Sequence, residues 1–247
     1  MAIKELTFPG PTKKGDRGNA VKLAQEWLCL HDFHLKIDGS FGPATEFAVR
    51  QFQKQEDLPE HGRVDQATFD ALVSPMKDAV NPIQAGSKGL GDLVVRYANQ
   101  HLKSSPREVG GQNQGPWVRL YMNGKEGAEW PWCAGFASFV LKQACASEDL
   151  PAPIPVSFSC DVLATGARDR GLLLSGTTGG NGGLNPGCLF LNKRTSSDWD
   201  HTGVVTGVEE ETFLTIEGNT NDDGSREGYE VCARVRGYKG KHFILLA

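Results

Sequence analysis

The sequence predicts an α+β protein, in which a small all-α domain of three helices precedes a larger domain with a central antiparallel β-sheet. In the first third of the chain, apolar residues recur at helical spacing between Gly-containing turns. Towards the C-terminus, short β-branched or apolar segments alternate with turn residues, which is typical of antiparallel strands. A length of 247 residues allows two domains, each with its own hydrophobic core.

The predicted first domain spans residues 1–74, and its helices lie between Gly15 and Val73. The first helix has an apolar face made of Val21, Ala24, Trp27 and Leu28. Pro43 suits the first turn of the second helix, and Asp65 can cap the third. Residues 38–45 and 61–68 also resemble each other, and each segment places a turn before the start of a helix.

Residues 75–88 have the composition of a linker, with little periodicity and several Pro and Gly residues. The predicted second domain, 89–247, begins with a helix from Leu90 to Leu102, and a polar stretch from Ser104 to Gly127 follows. A further helix starts at Cys133. The predicted strands are Cys188–Leu191, His201–Val208, Thr212–Glu217, Glu230–Arg236 and Phe243–Leu246.

Charge and composition exclude several classes of partner. The formal net charge is -4 and no dense Lys/Arg cluster occurs, so nucleic acid is not an expected partner. No apolar run is long enough to insert into a membrane, and the N-terminus does not resemble a signal peptide. We therefore expect a monomer that is synthesised in the cytoplasm.

The six cysteines are scattered without CxxC pairs, which indicates neither a zinc site nor a dense disulfide framework. Most of them are interpreted as small buried hydrophobic residues. Cys133 differs because it opens a helix, where unpaired N–H groups and the positive end of the helix dipole favour the reactive thiolate. The sequence therefore singles out Cys133 as the candidate nucleophile, although a structural role is the more common one for such a cysteine.

The partners of a cysteine nucleophile are found on two predicted neighbouring strands. His201 begins one strand, and Glu217 ends the next, with Asn219 two residues further on. Strand alternation places Glu217 and Asn219 on one face, and an antiparallel turn brings them beside His201. Asp198 and Asp200 compete for the position next to His201, but residues adjacent along a strand point to a different face, which favours Glu217. Cys133, His201 and one of these polar groups can therefore serve as nucleophile, base and orienting group.

Two family resemblances follow from these residues. The segment 13–73 resembles the three-helix peptidoglycan-binding domain, through Gly15-Asp16-Arg17-Gly18, the Asp38-Gly39-Ser40-Phe41-Gly42 turn and Phe52-Gln53. This resemblance implies a shallow groove for a peptide or glycan of the cell wall.

The second resemblance covers residues 89–247 and is to the CHAP family of cysteine amidohydrolases and peptidases, which are papain-like and related to the NlpC hydrolases. The segments that carry it are Trp132-Cys133-Ala134-Gly135-Phe136, Pro186-Gly187-Cys188-Leu189-Phe190, His201-Thr202-Gly203-Val204-Val205 and Glu217-Gly218-Asn219. The resemblance implies Cys133 as nucleophile, His201 as general base and acid, Glu217 as the group that orients His201, and Asn219 as a second polar support.

Together the resemblances imply a peptidoglycan hydrolase that cleaves an amide bond, either as an N-acetylmuramoyl-L-alanine amidase or as an endopeptidase of the stem or cross-bridge. The leading interpretation is a bacteriophage endolysin released with the help of a holin. A wall-degrading toxin delivered into a rival and a non-catalytic wall-binding protein are the alternatives.

The remaining site predictions concern substrate and metals. Trp132 and Trp199 flank the proposed site, and Asn113 lies in the 104–127 stretch, so these three are the expected substrate-binding residues. No metal or other cofactor is expected, because the segment before Cys133 lacks the alternating acidic ligands of a calcium loop. The turn 221–224 is interpreted as an exposed acidic turn, and the Gly-rich segment 175–187 lacks the Gly-Lys-Ser/Thr of a phosphate loop.

Overall fold

The computed structural model describes residues 3–86, 88–176, 183–221 and 228–246. The helices in these residues are α1 (Asn19–Leu30), α2 (Pro43–Gln55), α3 (Gln66–Leu72), α4 (Ser74–Val80), α5 (Gly89–Lys103), α6 (Pro116–Tyr121), α7 (Cys133–Glu148) and α8 (Cys160–Arg168). The strands are β1 (Leu173–Ser175), β2 (Leu189–Lys193), β3 (Trp199–Val208), β4 (Thr212–Thr220), β5 (Glu230–Gly237) and β6 (Lys241–Ile244). The predicted combination of a helical N-terminal domain and an antiparallel sheet is confirmed.

The three helices predicted for the first domain are α1, α2 and α3. The apolar face of α1 is buried, and Trp27 and Leu28 are fully inaccessible. Asp65 caps α3, because its side chain accepts a hydrogen bond from the backbone N–H of Thr68. Capping of this kind satisfies a donor that the first turn of a helix cannot pair internally.

A buried glutamine holds the first of the two similar segments, residues 38–45, in place. Gln25 of α1 donates hydrogen bonds to the Asp38 carboxylate, to the Ser40 carbonyl and to the Thr45 hydroxyl, at 3.1, 3.1 and 3.2 Å. Its amide oxygen accepts from the N–H of Gly39 at 2.8 Å. One side chain therefore fixes both the turn and the first helical turn of α2.

Gln53 of α2 repeats this arrangement one helix later. It donates to the Arg63 carbonyl and to the Thr68 hydroxyl, each at 2.9 Å, and its oxygen accepts from the N–H of Gly62 at 2.9 Å. Gly62 has a positive φ of 73°, which glycine adopts without strain. The two similar segments in the sequence are thus two copies of one turn, each held by a buried amide.

The region between the domains differs from the expected linker. Residues 74–80 form α4, whose Met76 and Ala79 are fully buried. The stretch 104–127 also contains a helix, α6, which the polar sequence did not indicate. Both helices begin with proline in their first turn, and they are too short to show clear periodicity.

One hydrophobic core contains residues from both halves of the chain. Trp27 of α1 packs edge-on against Trp117 of α6, with ring centroids 6.2 Å apart. Next to this contact, Arg119 of α6 forms a bidentate pair with Glu5 at 3.0 and 2.9 Å, and it also pairs with Glu26 at 2.7 Å. The first domain is therefore docked on the second through apolar and ionic contacts.

The second domain is built on a sheet with the strand order β1-β6-β2-β3-β4-β5, in which every neighbouring pair is antiparallel. Helix α7 packs closely on this sheet at Gly218 of β4. A Cβ atom at Gly218 would lie 2.6 Å from the Cβ of Phe136, so only glycine permits this approach. The start of α7 is thereby held next to β3 and β4.

Besides α6, two elements of the second domain were missing from the sequence prediction, namely the short strand β1 and helix α8. The acidic turn proposed at 221–224 lies outside the described residues except for Asn221, and residues 177–182 of the Gly-rich segment also lie outside them. Within the described parts of the chain, none of the helices is both long and apolar enough to cross a membrane.

Candidate active site

Cys133 occupies the first position of α7, as the sequence predicted. It is 5% exposed, and its sulfur accepts a hydrogen bond from the backbone N–H of Ala134. Sulfur at this position interacts with the unpaired N–H groups of the first helical turn, which stabilise negative charge. The local structure therefore favours a thiolate.

His201 lies on β3 and connects Cys133 to Glu217 of β4. One of its ring nitrogens, Nε2, is 2.7 Å from Oε2 of Glu217. The ring also interacts with the Cys133 side chain, and this interaction shifts the pKa of both groups. Gly203 provides the space for this arrangement, because a Cβ atom there would lie 2.7 Å from Cγ of Glu217.

Glu217 is completely buried and accepts four hydrogen bonds. Oε1 accepts from the Thr215 hydroxyl at 2.6 Å and from Nε of Arg236 at 2.8 Å. Oε2 accepts from His201 and from Nη2 of Arg236, the latter at 2.5 Å. Both oxygens are therefore fully satisfied, which is the condition for keeping a carboxylate ionised in the interior.

Arg236 of β5 was not identified from the sequence. The register of the sheet pairs β4 with β5, with Glu217 opposite Cys232 and Phe213 opposite Arg236. The long guanidinium side chain reaches back along the strands to the carboxylate. Along β5, more exposed and less exposed residues alternate. The sequence of such a strand does not indicate which of its arginines turns inward to a buried carboxylate.

The two competing aspartates have other partners. Asp198 pairs with Arg194, and the Asp200 carboxylate accepts a hydrogen bond from Asn192 at 2.7 Å. The carboxylate in contact with the His201 ring is that of Glu217. This distribution agrees with the argument that neighbouring residues on a strand point to opposite faces.

Asn219 does not continue the strand alternation that the sequence suggested. The pairing of β4 with β5 shifts between Glu217 and Thr220, and Asn219 adopts a left-handed conformation with φ of 53°. Its side-chain oxygen accepts a hydrogen bond from the backbone N–H of Trp132 at 2.9 Å. Asn219 therefore braces the turn that leads into α7 rather than contacting the His201 ring.

The three expected substrate-binding residues are all buried, and their role in binding stays a prediction. Trp132 is inaccessible; its indole N–H donates to Glu108 at 2.8 Å, and its ring stacks on Tyr121. Trp199 is 4% exposed, and Asn113 is 1% exposed. Large aromatic residues next to a nucleophile can pack in the core as well as line a groove, and the sequence does not distinguish the two.

A second thiol lies beside the first. The sulfur of Cys160, the first residue of α8, is 3.9 Å from the sulfur of Cys133. Cys160 is 7% exposed. The sequence treated it as one of the buried structural cysteines, because α8 had not been predicted and no motif marks it.

The electrostatics of the cluster favour charge separation. A hydrogen bond from Cys160 and the neighbouring His201 hold the pKa of Cys133 well below its usual range, although burial opposes this. Burial lowers the pKa of His201, but its hydrogen bonds and charge interactions with Cys133 and Glu217 outweigh burial and raise the pKa to about 10. Burial raises the pKa of Glu217, but Arg236 and His201 bring it to about 2.

These pKa shifts favour a thiolate, an imidazolium, a carboxylate and a guanidinium near neutral pH. The four charges sum to zero, which reduces the cost of burying each of them. A thiolate paired with an imidazolium is a nucleophile that needs no further activation.

Comparisons with known proteins concern mainly the first domain. Residues 17–72 match the family model of a peptidoglycan binding domain. The N-terminal domain is a peptidoglycan-binding domain. A segment of 80 residues is 34% identical to the zinc D-Ala-D-Ala carboxypeptidase of Streptomyces albus G and covers 31% of each chain, so this protein spans about a third of that relative.

Two solved structures are also similar in sequence. The SleB N-terminal domain is 34% identical, with 26% of this chain and 89% of that chain covered and a TM-score of 0.26. A fused Zn-dependent amidase, peptidase and peptidoglycan-binding protein from Clostridium acetobutylicum is 26% identical, with 40% and 47% covered and a TM-score of 0.25.

The Streptomyces relative carries zinc in its name. A catalytic zinc requires three protein ligands from His, Asp, Glu or Cys. Among residues 3–86, 88–176, 183–221 and 228–246, no group of three such side chains is placed to hold a metal ion. The described residues therefore do not fit a zinc site.

Proposed function

We propose that this protein hydrolyses an amide bond of peptidoglycan and that Cys133 is its nucleophile. The N-terminal peptidoglycan-binding domain supports the choice of substrate. The observation that carries the proposal is the chain of contacts from the Cys133 thiol to the His201 ring and from that ring to Glu217, at 2.7 Å. This is the arrangement of a nucleophile, an acid–base group and an orienting carboxylate.

In the first half of the reaction, the Cys133 thiolate attacks the carbonyl carbon of the scissile amide. The backbone N–H of Cys133, at the N-terminal end of α7, is the proposed donor to the oxyanion that develops. The imidazolium of His201 then gives its proton to the leaving amine, and a thioester remains on Cys133.

In the second half, neutral His201 takes a proton from a water molecule, which attacks the thioester and releases the carboxylic acid. Glu217 keeps the His201 ring in one orientation and stabilises the imidazolium each time it forms. Arg236 and Thr215 hold Glu217 in place, and they act through it rather than on the substrate.

The cysteine mechanism is tested by clearing of purified peptidoglycan suspensions. Cys133→Ala is expected to abolish clearing while the protein still sediments with peptidoglycan through its first domain. Cys145→Ala is the matched control, because Cys145 is also buried on α7 but lies about 18 Å further along the helix axis. Clearing at an unchanged rate by Cys133→Ala would refute the mechanism.

For the bond that is cut, we propose only its class, an amide bond of peptidoglycan. Both an N-acetylmuramoyl-L-alanine amidase and an endopeptidase of the stem or cross-bridge suit a cysteine and histidine site. Mass spectrometry of digested peptidoglycan separates them, because an amidase releases intact stem peptides from the glycan, whereas an endopeptidase leaves peptide fragments on the sugar.

For the biological role, we favour a phage endolysin on the basis of the CHAP-like motifs and the wall-binding domain. Expression in a host is expected to cause lysis only when a membrane-permeabilising protein is produced together with it. Toxicity that requires delivery from a neighbouring cell, and that a cognate immunity protein suppresses, would indicate the antibacterial toxin instead.

A second candidate is a wall-binding protein without catalysis, because the match to a peptidoglycan-binding domain concerns binding alone. Sedimentation with peptidoglycan without any release of soluble fragments by the wild-type protein would support this candidate.

A further inference from the structure

No step of the proposed hydrolysis uses Cys160 as a reactant, yet its sulfur lies 3.9 Å from that of Cys133. At this distance the thiol is a weak hydrogen-bond donor to the thiolate, and a serine hydroxyl would be a stronger one. What a thiol offers and a hydroxyl does not is redox chemistry. The pair therefore requires an explanation beyond the positioning of Cys133.

The position of Cys160 is fixed from two sides. The carboxylate of Asp161, the next residue of α8, accepts the backbone N–H of Trp199 at 2.8 Å, which ties α8 to β3. The Ser138 hydroxyl of α7 donates to the Ser157 carbonyl at 2.8 Å and accepts the Ser157 N–H at 3.0 Å. The segment that carries Cys160 is thus attached both to the helix of Cys133 and to the strand of His201.

The geometry is compatible with a covalent bond. An S–S bond is about 2.05 Å long, so the sulfurs must come about 2 Å closer to form one. Cys145 is a useful comparison, since it lies about 18 Å along α7 from Cys133 and is out of reach. Burial raises the pKa of its thiol, so it is also less reactive.

We propose that Cys133 and Cys160 form a modification site for hydroperoxides, at which a reversible disulfide switches the hydrolase off. Loss of hydrolysis on oxidation rests on the proposed function, because it requires Cys133 to be the nucleophile. Formation of the disulfide depends only on the two thiols.

In the first step, the Cys133 thiolate attacks one oxygen of the hydroperoxide. An S–O bond forms, the O–O bond breaks, and the other oxygen leaves as an alcohol or water after taking up a proton. Sulfur is oxidised to a sulfenic acid and the peroxide is reduced.

In the second step, the Cys160 sulfur attacks the Cys133 sulfur. The S–S bond forms, the S–O bond breaks, and hydroxide leaves as water with the proton that Cys160 releases. The hydrogen bond and charge of the Cys133 thiolate, together with burial, raise the pKa of Cys160 in the resting protein. Conversion of Cys133 to a neutral sulfenic acid removes that charge, so the first oxidation makes the second thiol easier to ionise.

The disulfide protects the nucleophile as well as blocking it. A sulfenic acid without a neighbouring thiol is oxidised further to sulfinic and sulfonic acids, which dithiols do not reduce. A disulfide returns to two thiols when a dithiol reductant supplies two electrons.

The test treats the full-length reduced protein with hydrogen peroxide, blocks free thiols with an alkylating reagent and maps the peptides by mass spectrometry. Digestion at Lys142 and Glu148 places Cys133, Cys145 and Cys160 on three different peptides. We expect a crosslinked pair that contains Cys133 and Cys160, with Cys145 alkylated. Clearing of peptidoglycan is expected to be lost almost completely and to return after treatment with dithiothreitol.

Cys160→Ser is the decisive variant. Its clearing rate after oxidation is compared with the clearing rate of the same variant before oxidation. Its clearing is expected to be lost on oxidation without recovery in dithiothreitol, and Cys133 is expected to carry two or three oxygens. Cys145→Ser is the control and should recover as the wild type does. Recovery of Cys160→Ser to the same extent as the wild type, or oxygenated Cys133 without a crosslink in the wild type, would overturn the proposal.

The readouts also separate this proposal from the proposed function. If the reduced wild type does not release peptidoglycan fragments, the hydrolase assignment fails, and the peptide map still decides whether the disulfide forms.

Discussion

Replacement of Glu217 by glutamine is the sharpest test of the buried charge network. The substitution keeps the shape of the side chain but removes its charge. All four groups that face the carboxylate are donors, from Thr215, His201 and twice from Arg236. At the Oε2 position, the NH₂ group of glutamine meets donors of His201 and Arg236. At the Oε1 position it meets Nε of Arg236, while the Thr215 hydroxyl can turn and accept from it.

The magnitude follows from these contacts. Hydrogen bonds to charged groups contribute about 1.5–3 kcal/mol each, and one or two are lost, depending on the orientation of the amide. Arg236 is 27% exposed and regains part of its hydration, so we expect Glu217→Gln to lower the free energy of unfolding by about 3 kcal/mol. Loss of the group that orients the base is expected to lower kcat by about 10²–10⁴-fold.

The assay combines urea unfolding, followed by tryptophan fluorescence, with initial rates of fragment release from peptidoglycan. Glu217→Gln/Arg236→Gln is the matched double variant, because it removes the cation that the single variant leaves without its counterion. We expect the double variant to recover part of the lost stability but none of the lost activity.

Two results would refute this reasoning. Activity of Glu217→Gln within about threefold of wild type would mean that His201 does not depend on the carboxylate. Recovery of activity together with stability in the double variant would mean that Glu217 has only a structural role.

Three further predictions concern packing, domain docking and pH. Gly203→Ala is expected to push Glu217 from its position, to lower the unfolding free energy by about 1–3 kcal/mol and to abolish clearing, as measured by the same two assays. Arg119→Met is expected to cost about 3–5 kcal/mol in urea unfolding, because it leaves buried carboxylates without their cation. In a profile of kcat/KM against pH, activity is expected to fall at high pH as His201 loses its proton at about 10, and at low pH as the Cys133 thiolate is protonated well below the usual pKa of cysteine.

Each of these predictions has a result that contradicts it. If Gly203→Ala clears peptidoglycan at the wild-type rate, β3 can move away from the Glu217 carboxylate. A cost for Arg119→Met no larger than the roughly 0–1 kcal/mol of an exposed pair, such as the control Lys77→Met, would show that the buried cluster does not stabilise docking. An activity that keeps rising through pH 8–9, the range in which an ordinary thiol ionises, would mean that Cys133 is not a thiolate at rest.

The elements with strong periodicity could be predicted from the sequence. The stripe of α1, the cap at Asp65 and the helix that starts at Cys133 all depend on neighbours within a few residues. The pairing of β3 with β4 follows from a short turn, and it brings His201 to Glu217. The sequence was sufficient in these cases because contacts between residues close together in the chain determine these elements.

The rest depended on contacts between distant parts of the chain. Arg236 reaches Glu217 across a strand pair, and Cys160 reaches Cys133 through a helix too short to be recognised. The left-handed conformation of Asn219 breaks the alternation that would have aimed it at His201. Trp132 next to the nucleophile was interpreted as a substrate contact, but its indole is enclosed by the core.

The docking of the two domains has a consequence for how the protein searches its substrate. An anchored enzyme on a flexible tether samples a volume whose radius grows with the length of the linker. Here the contacts of Arg119 and Trp117 with the first domain hold the anchor and the cysteine as one body. If the protein has the proposed function, Cys133 can reach only those bonds that lie at one distance and orientation from the wall segment bound by the first domain. Continued digestion then requires the first domain to release the wall and bind again. Turnover on intact wall would then be limited by the off-rate of the anchor, and weakening the grip of the first domain would speed digestion.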